Sequence, residues 1–330
     1  LLPGAASLVD WRRETGLATE VVALATTDPA AIKALIQARF ALGKLKHVLL
    51  VGDYAHIPYY SFSGTSSDMW YACLTGAPDL YPDCGLGRLS GTSSGAIAHQ
   101  AAKILAYEKT PPAGDWFAKT VLVAHREQAP GKYVGCSEEI ANGPLGSSGW
   151  SILKQYGHIS SVSNATVSAH INAGVGLVNY RGHGSTTTWA SGWNTLNEAY
   201  AVGNVNALAN GAMTPVVFNI ACTCGDHKSS CLQEAWLQTA GGAVASLGAI
   251  LPSYTTPNHA FDKELYRAIF QDGLTNIYSF WYKGVAVLIS QGSAGQANAK
   301  MYWWGGDAAT SMWGKRSEER RVGKECRSRW

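Results

Sequence analysis

Val178-Asn179-Tyr180-Arg181-Gly182-His183-Gly184-Ser185 and, after a polar connector, Pro215-Val-Val-Phe-Asn-Ile-Ala-Cys222-Thr223-Cys224-Gly225-Asp226 are the segments that organise this chain. Each contains an apolar run of strand length, Gly174 to Tyr180 in the first and Pro215 to Ala221 in the second. Short apolar runs rich in β-branched residues and closed by turn signals read as buried strands. One run stops at Gly-His-Gly and the other at Ala-Cys. In an open parallel sheet, neighbouring strands end at one edge, and ligands bind there. A histidine and a cysteine delivered to that edge are a candidate base and nucleophile, because the thiolate is the attacking form.

The flanking sequence fits such a sheet. Ser7 to Gly16 reads as a helix closed by glycine, and Thr19 to Leu24 as a strand. Asp28-Pro-Ala-Ala is a helix start, with Asp28 as N-cap and Pro29 in the first turn. His47 to Val51 is a buried strand, so the first fifty residues already spell β-α-β. An aromatic loop from Tyr54 to Tyr81, a strand at Gly85 to Leu89 and a helix at Ile97 to Tyr107 follow. Thr110-Pro-Pro-Ala-Gly-Asp115 is a natural linker. A second series opens with the strand Thr120 to Ala124, ending in His125-Arg-Glu127. Interrupted helical signals span Ser137 to Gln155, and Ile159 to Val162 reads as a short strand. Beyond Cys222, helices are expected from about Cys231 to Thr239, at Phe261 to Phe270 and at Ile277 to Ile289, with a buried strand at Gly242 to Ile250.

Composition sets bounds. The 330 residues are enough for one large or two modest domains. No apolar run reaches the ~18 residues of a membrane span. The formal charge of +3 comes from an abrupt basic tail, Arg316 to Trp330; without its six basic and three acidic residues the two signs balance. That tail matches the translation of a common sequencing-adapter read and is set aside. The basic balance therefore implies neither nucleic acid nor a membrane surface as partner. Leu1-Leu-Pro-Gly does not look like a native start, so the chain reads as a mature fragment or a partial gene.

Tyr-Arg-Gly-His183-Gly-Ser with the following Trp189, then Asn-Ile-Ala-Cys222-Thr-Cys-Gly-Asp, resemble the caspase-like cysteine peptidases, most closely the gingipain-type family. The N-terminal order is also similar: a strand ending in Val-Gly-Asp53, a Ser67-Asp68 loop and a Gly-Arg88 strand, over roughly Leu17 to Lys109. Trp304-Gly-Gly-Asp307 resembles the Gly-Asp segment late in the family's catalytic domain. The resemblance implies an α/β fold, a caspase-like α/β/α three-layer sandwich with mostly parallel strands. It implies two subdomains, 1–114 and a catalytic 115–315, with 316–330 as the non-native tail. It also implies a monomer, secreted or on the cell surface, that acts on protein or peptide and needs no organic cofactor.

Roles follow residue by residue. Cys222 is the expected nucleophile and His183 the general base and acid, since an imidazole exchanges protons near ~6.5. Glu127, ending its strand at the same edge, is the expected partner of His183. The resemblance implies that the backbone N–H groups of Gly184 and Cys222 hold the oxyanion. Known relatives cut after Arg or Lys through an acidic pocket residue. In the matching segment, Gly131-Lys-Tyr-Val-Gly-Cys136-Ser137-Glu138-Glu139, Cys136 or Ser137 falls where that acid is expected. Cys136, Ser137 and Trp189, with Trp193 beside it, are thus the expected substrate-binding residues. Structural calcium is an expectation of the resemblance too, with Asp68, Asp226 and Asp307 as candidate ligands.

Two rival readings stand beside this one. The first is a catalytically inactive, peptidase-like binding or sorting module. The second is a zinc-stabilised domain built on Cys222, Cys224, His227 and Cys231, a set crowded into ten residues, unlike the usual two separated pairs. A Cys224–Cys231 disulfide or two simple thiols is the plainer reading of that cluster.

Overall fold

The computed structural model describes residues 1–76 and 80–313. The tail expected from Arg316 lies outside the described residues. Eight strands form the main sheet: β1 (His47–Val51), β2 (Gly85–Leu89), β3 (Lys119–Ala124), β4 (Ser151–Tyr156), β5 (Leu177–Arg181), β6 (Val216–Ile220), β7 (Ala245–Ala249) and β8 (Tyr302–Gly305). Their spatial order is β1-β2-β8-β7-β6-β5-β3-β4. Pairings from β7 through to β4 are all parallel, as is β1 with β2, whereas β8 runs antiparallel to β7. The helices are α1 (Ala6–Glu14), α2 (Pro29–Phe40), α3 (Ser94–Lys109), α4 (Lys132–Asn142), α5 (Asn164–Asn172), α6 (Val202–Asn206), α7 (Leu232–Gln238), α8 (Thr255–Phe270), α9 (Ile277–Ser290) and α10 (Gly292–Met301).

Side-chain alternation along the strands divides the core into two layers. Leu122, Ala124, Phe218, Ile220 and Leu247 join Phe261 and Leu265 of α8 and Phe280 and Val285 of α9. Val121, Val123, Val178, Tyr180 and Val217 face the other way, onto Val167 and Ile171 of α5 and Leu232 and Trp236 of α7. Buried on both faces, these strands read in sequence as unbroken apolar runs. The result is the expected α/β/α sandwich. The division between 114 and 115 separates β1 and β2 from the other strands, yet the sheet crosses it where Arg88 pairs with Gly305.

Local signals match many helix starts. Asp28 accepts the Ala30 and Ala31 N–H groups at 3.4 and 3.0 Å. Ser163 and Thr166 form a capping box at the start of α5. Two strand expectations fail. Thr19 to Leu24 pairs with no strand, and Val21 is 46% exposed. Its β propensity has no neighbouring edge to bond with. Ile159 to Val162 lies in turns. The strand of that region is β4, which occupies a stretch read as interrupted helix because its charged and polar edge residues mask the apolar pattern.

Candidate active site

The strand register brings the two sequence blocks together. Arg181 of β5 pairs with Ile220 of β6, and Ala124 of β3 pairs with Arg181. His183 and Cys222 each stand two residues beyond that level, and Glu127 stands three residues beyond Ala124. All three therefore emerge at one end of the sheet, the carboxyl edge of its parallel strands.

Glu127 and His183 are in direct contact, Glu127 Oε2 hydrogen-bonding the imidazole Nε2. Tyr133 Oη stands 3.3 Å from the same nitrogen. The other carboxylate oxygen of Glu127 accepts from Lys132 Nζ at 2.7 Å. Lys132 and then His183 hold the Glu127 carboxyl below its ordinary range. The chain between Glu127 and Lys132 turns tightly, with Gln128 at φ 54° and the Gly131 N–H on the Gln128 carbonyl at 2.9 Å. That turn is what returns the first residues of α4 to the edge they just left. His125 stacks edge-on to His183 with ring centroids 5.1 Å apart and gives a ring nitrogen to the Glu127 N–H at 3.0 Å. Burial, then the neighbouring His183, pushes the His125 imidazole down to about 4, so it acts as a neutral acceptor.

Cys222 is half-buried, with Sγ accepting the Ser253 N–H at 3.3 Å and facing the Ser253 carbonyl at 3.7 Å. The residue after it, Thr223, has φ 51°. A β-branched residue in the left-handed region is strained, and such strain collects at functional sites. His183 is 48% exposed at its side chain. Its carbonyl is fixed by Tyr180 Oη at 2.8 Å and the Ala190 N–H at 3.0 Å. A Cβ on Gly182 would fall 2.4 Å from Tyr180 Oη, so only glycine lets the chain pass there.

The substrate-binding expectations need correction. Trp189 and Trp193 are fully buried. Trp189 lies sandwiched between Tyr180 and Tyr200, with centroids 4.5 Å to each, and donates to Asn219 Oδ1 at 2.9 Å. It is a core residue and offers no wall to a cleft. Cys136 and Ser137 are also buried, on the inner side of α4. The Cys136 thiol faces the His259 carbonyl and Asp262, and burial raises it to well above its ordinary value. Sequence reasoning missed Lys132, Tyr133 and Ser253. Lys132 and Tyr133 carried a signal in their nearness to Glu127; Ser253 carried none.

Among the described residues, no group of three or more His, Cys, Asp or Glu side chains is arranged to hold a metal ion. Cys224 and Cys231 are separate buried thiols. Two of the three carboxylates suggested for calcium are ion-paired, Asp68 with Arg88 at 2.7 Å and Asp307 with Arg12 at 2.7 Å. They do not form one ligand set. No helix among the described residues is long and apolar enough to cross a membrane.

A family model described as "Peptidase family C25" matches residues 1–313. The chain belongs to this family. It is 30% identical to gingipain R2 of Porphyromonas gingivalis over 246 residues, which is 70% of this chain and 32% of that protein. To the Lys-gingipain HG66 of Porphyromonas gingivalis it is 26% identical over 272 residues, 74% of this chain and 15% of that protein. The chain thus spans a third or less of the curated relatives it matches. Among solved structures, the Arg-specific cysteine proteinase gingipain R superposes with a TM-score of 0.86 at 24% identity, over 94% of this chain and 75% of the other. That likeness shows the fold. The resemblance drawn from the His183 and Cys222 blocks holds, and so does the caspase-like three-layer architecture.

Proposed function

We propose that this chain is a cysteine endopeptidase in which Cys222 attacks the peptide carbonyl and His183 manages the protons. The observation that carries this reading is the register of β5 on β6 together with the Glu127 contact. His183 and Cys222 stand at one level of one sheet edge, and the imidazole Nε2 is already committed to a carboxylate. A neutral imidazole that donates Nε2–H to Glu127 keeps its Nδ1 lone pair for the thiol proton. Glu127 then stabilises the imidazolium that forms.

The steps follow from that arrangement. The Cys222 proton passes to His183, and the thiolate adds to the carbonyl carbon, driving its electrons onto oxygen. The backbone N–H groups of Gly184 and Cys222 are the proposed donors to that oxyanion. His183 gives its proton to the departing amine, leaving an acyl-thioester on Cys222. Water, deprotonated by His183, hydrolyses the thioester and restores the thiol. No organic cofactor enters. All the named groups come from one chain, which supports action as a monomer. Secretion or display at the cell surface belongs to the same proposal and rests on the resemblance.

Hydrolysis of a mixed fluorogenic peptide library under reducing conditions tests the reading. The wild type is compared with Cys222→Ala and His183→Ala, with circular dichroism on all three. Cleavage by the wild type, lost in both folded variants, is the expected result. A folded wild type that cleaves nothing and whose Cys222 resists iodoacetamide would favour the inactive binding module instead.

A further inference from the structure

Ser253 lies in the connection from β7 to α8, and the sulfur of Cys222 rests against it. Its N–H donates to Cys222 Sγ at 3.3 Å, and its Oγ stands 4.0 Å from the same atom. A serine hydroxyl beside a thiol can donate or accept, and only the donating form favours a thiolate. Two buried amides behind Ser253 set which form holds here.

Asn298 of α10 accepts the Tyr254 N–H on its Oδ1 at 2.9 Å. A backbone N–H only donates, so the amide oxygen must occupy that place and the nitrogen the other. Asn298 Nδ2 then donates to the Tyr254 carbonyl at 2.9 Å and to Asn258 Oδ1 at 2.8 Å. Asn258, near the start of α8, therefore turns its oxygen toward Asn298, and the Tyr302 hydroxyl also donates to that oxygen at 2.9 Å. Its Nδ2 is left facing Ser253 Oγ at 2.7 Å. An amide nitrogen offers no acceptor, so Ser253 Oγ must accept there. The hydroxyl proton is thus directed away from Asn258, with Cys222 Sγ in reach. Asn258, Asn298 and Tyr302 are all buried, which holds the network in one arrangement. Arg181 ties the same loop to β6, with Nη2 on the Thr255 carbonyl at 2.9 Å and Nη1 on the Ile220 carbonyl at 3.0 Å, two residues before Cys222.

We propose that Ser253 is a catalytic residue that stabilises the Cys222 thiolate through two donors, its N–H and its O–H, and that Asn258 and Asn298 are positioning residues that aim the hydroxyl. This role rests on the peptidase reading and deepens it with a group that acts on the nucleophile itself. When the Cys222 proton passes to His183, the bonding pair stays on sulfur and negative charge gathers there. Hydrogen bonds to an anion are shorter and about twice as strong as those to a neutral group. The same two donors meet the sulfur again when it leaves as a thiolate in hydrolysis of the thioester, so both halves of the reaction gain.

The test uses the full chain and follows alkylation of Cys222 by iodoacetamide between about pH 4 and about pH 10, read by mass spectrometry on the Cys222 peptide. Steady-state cleavage of the fluorogenic peptide library and circular dichroism accompany it. On the acid side the rate follows the thiolate fraction. There Ser253→Ala, which keeps the N–H and loses the O–H, should react at least about 10-fold more slowly than the wild type. At the alkaline end, where a thiol ionises without help, the two rates should converge to within about threefold. Ser253→Thr restores the hydroxyl and should recover most of the acid-side rate. Asn258→Ala should show the same pH-dependent loss, and the double variant Ser253→Ala, Asn258→Ala should lose no more than Ser253→Ala alone. A wild-type Cys222 that alkylates with a profile shared by Ser253→Ala overturns the inference and leaves the peptidase reading intact. A loss of equal size at every pH would make Ser253 a packing contact and also overturn it. An additive loss in the double variant overturns the positioning role of Asn258. Should Asn258→Ala not fold, the two Ser253 variants decide the matter. A wild-type Cys222 inert at every pH, with no peptide cleaved, overturns both readings.

Discussion

A Cβ on Gly184 would fall 2.6 Å from the carbonyl oxygen of Cys222 and 2.7 Å from Cys224 Sγ. The segment after His183 and the segment after β6 thus approach so closely that position 184 has no room for a side chain of its own. Gly184→Ala should push them apart. The expected cost is about 1–3 kcal/mol, as for other overpacking. A kcat/KM roughly 100-fold lower should accompany it, because a displaced dyad loses its geometry. Thermal unfolding and steady-state kinetics on the same preparation check both numbers. Unchanged kinetics would show that this contact does not position the dyad.

Lys132 gives the Glu127 carboxylate its largest downward push and His183 the next. A carboxyl with a depressed folded-state value stays ionised further into acid, and loses its charge only as pH falls through that value. Lys132→Met should let it return toward its ordinary 4.5. The limb of the kcat/KM profile set by Glu127 should then move to higher pH, with KM little changed. Glu127→Gln should lower kcat by about 10²–10⁴ without unfolding the chain, since it removes the anion that favours the imidazolium. In the double variant the Lys132 effect should vanish, because both act through one carboxylate. An additive loss would place Lys132 in another role.

Asp262 is the reverse case. Its carboxyl is raised by burial from 3.8 to about 7. Between those values the folded chain holds a proton that the unfolded chain has released, so stability falls as pH rises across that window. Asp262→Asn should remove this slope, making the variant more stable than the wild type above neutrality by up to about 4 kcal/mol by linkage. Denaturant melts at several pH values measure it. Parallel curves for the two proteins would contradict the assignment.

The Arg88–Asp68 pair is the chief buried ion pair of the N-terminal half. Arg88 donates to both Asp68 oxygens and to the carbonyls of Gly52 and Ile57. Burial alone would raise the Asp68 carboxyl, but Arg88 and His227 outweigh it and hold it low. Arg88→Met leaves that anion buried without its main partner and should cost about 3–5 kcal/mol. Replacing both, with Asp68→Asn added, should cost less than the single change. Melting temperatures of the three proteins decide this.

Much of the layout is legible along the chain because its signals are local or patterned. Strands buried on both faces appear as apolar runs such as Val216–Ile220, and Asp28 announces its helix through a side chain that reaches only two or three residues on. The Gly-His-Gly and Ala-Cys endings mark candidate chemistry because glycine and a reactive pair at strand ends are a sequence-level signature. Even so, local propensity misleads at Thr19–Leu24, which has no partner strand, and at Ser151–Tyr156, whose partner is 32 residues away at Lys119.

The tertiary structure alone decides which edge residues meet. Trp189 follows His183 by six residues yet lies in the core between two tyrosines, because the hairpin that carries it folds inward. Arg181 reads along the chain as one more strand residue; only the fold sets its guanidinium on the carbonyls of Ile220 and Thr255. Sequence by itself determined most strands of the main sheet, the family and the residue types brought to the sheet edge. Register, burial and charge neutralisation required the fold, because each is a relation between residues far apart in the chain, set by which surfaces pack together rather than by what any segment prefers alone.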